Sequence, residues 1–118
     1  MRWSGLVGLA LLAQVSPACA HAFLEHASPP VGSEIATSPS VLAITFTEGV
    51  EPLFSTIELR GPNGAAVPAG TPYTAPDNNT VLSIQLPKLP PGIYTVIWHV
   101  TSVDTHKTEG NFQFTVSH

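Results

Sequence analysis

Proline and glycine cut residues 21–118 into short runs in which apolar side chains recur at every second position, and no stretch reads as an amphipathic helix. Residues 40–48 carry Val41, Leu42, Ile44 and Phe46, with Val50 just beyond, punctuated by Thr45 and Thr47. Residues 54–60 set Phe54, Thr56 and Glu58 on one face and Ile57 and Leu59 on the other. They stop at Gly61-Pro62-Asn63-Gly64, whose Asn-Gly pair is a strong turn signal. Residues 80–86 alternate Leu82, Ile84 and Leu86 against Val81, Ser83 and Gln85. After Pro90-Pro91-Gly92, residues 93–100 form the longest β-rich run, with Tyr94, Val96, Trp98 and Val100 on one face. Residues 111–116 place Phe112, Phe114 and Val116 together.

Short strands at this spacing predict an all-β Greek-key sandwich or barrel of about seven strands, immunoglobulin- or cupredoxin-like in outline. Leu89-Pro90-Pro91-Gly92-Ile93-Tyr94 has the form of an approach to a tyrosine corner. Residues 65–79 read as a loop-rich connection, and residues 101–110 as a polar loop containing Asp104 and His106. There is no internal repeat.

The first twenty residues have a different character. Met1-Arg2, an apolar stretch over residues 6–13 and then Ala18-Cys19-Ala20 have the layout of a secretory signal peptide cleaved after Ala20. The apolar stretch is shorter than the roughly 20 residues that cross a bilayer. A lipoprotein signal would make Cys19 the modified residue, but Ser16 stands where an aliphatic side chain is expected. Removing 20 of the 118 residues leaves a product of 98, one small domain with a single core. Cys19 and Met1 leave with the leader, so the product has no disulfide, thiolate or thioether. Such an exported domain is held by its packing and, on this reading, by a metal. Arg60, Lys88 and Lys107 remain against eight carboxylates, a formal side-chain net charge of −5. That leaves no basic patch for a nucleic-acid backbone.

All five histidines survive cleavage: His21, His26, His99, His106 and His118. His21 at a new amino terminus pairs a free α-amine with an imidazole, and the two nitrogens can close a chelate ring on one metal ion. The amine, with an ordinary pKa of about 7.7–8.0, gives up its proton to a metal at small cost near neutral pH. Asp104-Thr105-His106 adds a carboxylate and a second imidazole, which face a common point if the segment is extended. Three nitrogens and one oxygen in a near-planar set suit copper(II). Zinc, which prefers a tetrahedron, is the competitor. Taken singly, each feature also has a plain reading: His21 merely follows a cleavage site, Asp104 caps a turn and His106 is a solvated loop residue. Glu48 is either a carboxylate that orients the metal ligands from outside or an ordinary exposed acid beside Glu51. Trp98 and Phe54 are expected to pack in the core, with an apolar wall to the site as the alternative. His26, His99 and His118 carry no assignment, although His99 falls on the strand face opposite Trp98. Without cysteine or methionine, blue-copper and thioether copper(I) sites are excluded from the cleaved product. Asn78-Asn79-Thr80 matches a glycosylation sequon, meaningful only in a eukaryotic secretory pathway.

Taken in order, these residues resemble the CopC-type periplasmic copper-resistance family. The resemblance runs from His21 through Ala27-Ser28-Pro29-Pro30-Val31-Gly32-Ser33, Phe46-Thr47-Glu48 and Pro52-x-Phe54-Ser55. It continues through Gly92-x-Tyr94-x-Val96-x-Trp98, Ser102-Val103-Asp104-Thr105-His106 and Gly110-x-Phe112-x-Phe114. It implies a cupredoxin-like Greek-key β-barrel in the periplasm, with copper(II) held by His21, Asp104 and His106 and with Glu48 near the metal. It also implies a CopD-type inner-membrane protein as partner. Some members carry a methionine-rich copper(I) site in mid-chain, whereas residues 61–79 here hold no methionine, so a copper(II)-only member is implied. The expected function is copper(II) sequestration, transport or homeostasis, one ion per chain and without catalysis. Two other classes stand beside it. One is a copper-dependent oxidative enzyme, as in polysaccharide monooxygenases with a terminal histidine. The other is a structural or adhesion β-domain without metal.

Overall fold

The period-two patterning is realised as two β-sheets packed face to face in a computed structural model that describes residues 21–117. The leader expected over residues 1–20, its cleavage site, Cys19 and His118 lie outside the described residues. The strands are β1 (Leu24–Ser28), β2 (Glu34–Ile35), β3 (Val41–Phe46), β4 (Thr56–Arg60), β5 (Ala66–Val67), β6 (Tyr73–Ala75), β7 (Asn78–Gln85), β8 (Gly92–Thr101) and β9 (Lys107–Val116). A 3-10 turn, Pro52–Phe54, precedes β4. One sheet has the order β1-β3-β7-β6 and the other β2-β9-β8-β4-β5. The chain crosses from the first sheet to the second between β3 and β4, returns between β5 and β6, and crosses again between β7 and β8. This interlocks the pairs β3–β7 and β4–β8, the Greek-key sandwich expected of an immunoglobulin-like outline. Among the described residues no helix is long and apolar enough to cross a membrane.

The alternating residues form the core. Leu42, Ile44, Phe46, Leu82 and Ile84 from one sheet meet Ile57, Leu59, Tyr94, Val96, Trp98, Val100, Phe112, Phe114 and Val116 from the other, all buried. The Tyr94 ring stacks on Phe114 with centroids 5.7 Å apart, and Trp98 meets Phe46 edge-on at 5.1 Å. The Tyr94 hydroxyl donates to the Pro90 carbonyl at 2.5 Å, so the anticipated tyrosine corner is present.

Four departures from the sequence reading have local causes. β1 was not anticipated because only Ala27 of its five residues is buried, which leaves no alternation to read. β5 and β6 lie inside the connection read as loop, and at two and three residues they are too short to show a period. The polar loop of residues 101–110 shrinks to a tight connection, because β9 begins at Lys107. Its first inward positions are Thr108 and Gly110, opposite Val100 and Trp98, so no apolar repeat marks them. A methyl group at Gly110 would lie 2.5 Å from Trp98 Cζ2; the indole fills the space a side chain would need. Phe54, expected in the core, is instead 71% exposed on the 3-10 turn, while Trp98 is buried as expected.

Candidate metal centre

The ten-pair antiparallel ladder of β8 and β9 runs from Gly92↔Val116 to Thr101↔Lys107 and carries the segment 102–106 at its tip. The Thr105 N–H donates to the Ser102 carbonyl at 2.8 Å, and the Ser102 N–H to the His106 carbonyl at 2.8 Å. This is a three-residue hairpin loop, a turn followed by one left-handed residue. That residue is Thr105, at φ +75°, where a β-branched side chain is an outlier. The segment is therefore not extended, as the sequence argument assumed. Asp104 and His106 still meet, by a tight turn and not by alternation: His106 Nδ1 lies 3.3 Å from Asp104 Oδ1.

Ser102 is wholly buried beneath this turn. Its hydroxyl bonds Asp104 Oδ1, accepts from the His106 N–H at 3.2 Å and lies 3.3 Å from the His106 carbonyl. One hydroxyl carries one proton, and the carboxylate is the stronger acceptor for it. The Ser102 hydrogen bond holds the Asp104 carboxyl below its ordinary range against some desolvation, with a further contribution from His106. The turn is fastened to the rest of the sandwich by a Val50↔Ser102 bridge and by the Val103 N–H to the Gly49 carbonyl at 3.0 Å.

Alongside runs the segment that begins at His21. The Ala22 side chain is fully buried, and its carbonyl accepts from Thr108 Oγ1 at 2.6 Å. Thr47 grips both sides of Ala22. Its hydroxyl accepts from the Phe23 N–H at 3.0 Å and lies 3.4 Å from the His21 carbonyl, while its own N–H donates to the Phe23 carbonyl at 2.9 Å. His21 is thus set one residue outside a fixed point. Its ring lies with its centroid 4.8 Å from that of His106, tilted 34°, with Phe23 flanking at 6.0 Å.

His21, Asp104 and His106 are therefore neighbours at one end of the sandwich and open to solvent; the Asp104 and His106 side chains are 41% and 52% exposed. Half-buried Glu48 follows Thr47, which binds the His21 segment, and precedes Gly49, which binds the loop. Among the described residues no three His, Cys, Asp or Glu side chains by themselves enclose a cation. His99 lies on the outer face of β8, paired with Glu109 at 3.1 Å, and exposed His26 on β1 sits opposite Thr45. Sequence reasoning missed the hydroxyls of Thr47, Ser102 and Thr108, which hold the candidate ligands in place. Only Ser102, two residues before Asp104, sits in a recognisable side-chain–turn spacing.

The family model described as the CopC domain matches residues 24–117. The chain is 37% identical over 98 residues to protein YobA of Escherichia coli K12, a match covering 82% of this chain and 79% of YobA. It is similar in structure to CopC from Methylosinus trichosporium OB3b, with TM-score 0.79 and 35% identity over 82% of this chain and 94% of that one. It is also similar to PcoC, a methionine-rich copper resistance protein from Escherichia coli, with TM-score 0.73 and 30% identity over 83% of this chain and all of that one. With the family model matched over nearly the whole sandwich and both neighbours sharing its architecture, the chain belongs to the CopC domain family.

Proposed function

We propose that the chain is an exported, non-enzymatic copper protein that carries one copper(II) ion between the amino-terminal nitrogens of His21, an oxygen of Asp104 and the imidazole of His106. Family membership supports copper as the ligand, since a structural neighbour is named for copper resistance. The observation that carries the site is the approach of the His21 and His106 rings to 4.8 Å, with Asp104 beside them, from segments far apart in the chain. Both hydrogen bonds to the Asp104 carboxylate fall on Oδ1, which leaves Oδ2 for a metal. Imidazole and carboxylate donors without sulfur favour copper(II) over copper(I). Glu48, between the two segments, would orient the amine or a metal-bound water. Cleavage after Ala20 supplies the α-amine and places the protein in the periplasm, where it sequesters copper or delivers it to a CopD-type inner-membrane partner. A carboxylate donor from Asp104 would stabilise copper(II) against reduction, which disfavours the oxidative-enzyme alternative. A metal-free adhesion domain gives no account of why His106 lies against both His21 and Asp104.

The test is a copper(II) titration of two proteins, one beginning at His21 and one with a single extra residue before it. The first should bind one equivalent tightly. The second should bind far more weakly, with a changed paramagnetic resonance spectrum. Equal affinity and equal spectra would eliminate the terminal chelate. His106→Ala and Asp104→Ala should each weaken binding while leaving the β-sandwich folded.

A further inference from the structure

We propose that Ser102 is a positioning residue of this metal centre, its buried hydroxyl selecting which Asp104 oxygen and which orientation of the loop meet the copper ion. The inference rests on the copper(II) reading above and extends it to a residue that touches no metal. Ser102 is 0% exposed, yet the hairpin does not need its hydroxyl to close, because backbone bonds from Ser102 N–H and Thr105 N–H already do so at 2.8 Å. A hydroxyl taken out of water without a partner is costly, so its partners define its role. They are the two candidate ligands of the loop. The proton goes to Asp104 Oδ1, and a lone pair receives the N–H of His106 at 3.2 Å. A single buried atom thereby couples the rotamer of Asp104 to the backbone of His106. With Oδ1 committed to Ser102 and to His106 Nδ1 at 3.3 Å, Oδ2 is presented outward. Loss of the hydroxyl frees the carboxylate to rotate and leaves the His106 N–H without a side-chain partner. Copper then has to restrain a mobile ligand, and affinity falls.

The experiment is a double-mutant cycle on the protein that begins at His21, using Ser102→Ala, Asp104→Ala and the double variant. Copper(II) affinity is measured by chelator competition, coordination by paramagnetic resonance and stability by urea. Ser102→Ala should weaken binding about tenfold or more, the usual cost of losing a partner that orients a ligand, and should shift the copper spectrum. In the Asp104→Ala background the same change should alter affinity by less than about twofold, because the residue through which Ser102 acts is already gone. Unchanged affinity and spectrum for Ser102→Ala would overturn the proposal, and so would an equal loss in both backgrounds, the mark of a general effect on the fold. Should Ser102→Ala not fold, Ser102→Thr and Ser102→Val make the same comparison between near-isosteric side chains that differ by one hydroxyl. Thr should then bind at least tenfold more tightly than Val; equal binding by the two would refute the role. Failure of the unmutated protein to bind copper(II) would defeat the copper reading itself, whereas tight binding that ignores Ser102 would defeat only this inference.

Discussion

Replacing Thr105 by glycine should make the domain more stable, although the change removes a side chain and its hydrogen bond. Thr105 holds φ +75° at the left-handed position of the hairpin loop. An L-residue there costs roughly 1–2 kcal/mol relative to the right-handed region, and a β-branched one lies at the upper end. Glycine occupies the region freely but loses about 0.5–1 kcal/mol more backbone entropy on folding. The Thr105 hydroxyl also bonds the Asp104 carbonyl, but at an exposed position where water replaces it at little cost. The balance is a net gain of about 0.5–1 kcal/mol, equivalent to a rise in melting temperature of about 2–8 °C for a domain of this size. Urea denaturation of Thr105→Gly, Thr105→Ala and the unmutated protein, all without copper, reads it directly. Alanine keeps the side-chain conflict and lacks the hydroxyl, so it should fall below glycine. A glycine variant less stable than the parent would show that the hydroxyl, and not the backbone, governs the loop, and the strain argument would fail. Copper(II) affinity should not rise with stability, because Thr105 separates two proposed ligands and glycine lets them drift apart.

Two further outcomes follow from the core. Gly110→Ala places a methyl 2.5 Å from Trp98 Cζ2 and 2.8 Å from Cε2, so it should destabilise by about 2 kcal/mol or more and perturb tryptophan fluorescence; a loss under about 0.5 kcal/mol would mean the indole moves freely. Tyr94→Phe deletes the donor to the Pro90 carbonyl and should cost about 1 kcal/mol at neutral pH in a urea titration. Burial raises the Tyr94 pKa above its ordinary 10, so above about pH 10 the unfolded chain loses this proton first and stability falls as pH climbs through the raised folded value. The Phe variant should lack that component, and identical alkaline curves for the two proteins would exclude Tyr94 as its source.

Much of the fold was legible because alternation over β3, β4, β7 and β8 is carried by residues that bury one face. Leu82 and Ile84, or Tyr94, Val96 and Trp98, state their own register. Where the inward position is occupied by something other than an apolar side chain, the signal vanishes. Gly110 is covered from across the ladder by Trp98, so the start of β9 read as loop. Edge strands β1 and β5 bury too little to show a period. His21, Asp104 and His106 could be picked out by chemistry alone, and their meeting is a property of the fold. The reason offered for pairing Asp104 with His106, an extended segment, does not apply; a tight turn achieves the same meeting by a different route. Thr47 and Thr108 were invisible because a threonine that clamps a distant backbone has the same sequence signature as one on a solvated strand face.

Thr108 on the last strand holds the carbonyl of Ala22, next to the first described residue, so the first and last segments of the described sandwich are already stapled by one hydrogen bond before any ligand arrives. A metal bridging His21 and His106 would turn that staple into a clasp around a loop spanning most of the domain. Closing so long a loop withdraws more freedom from the unfolded chain than a local cross-link can. With no cysteine among the described residues, a bound metal would then do for the sandwich what a disulfide does in other small domains. Resistance to unfolding would track the copper content of the surroundings.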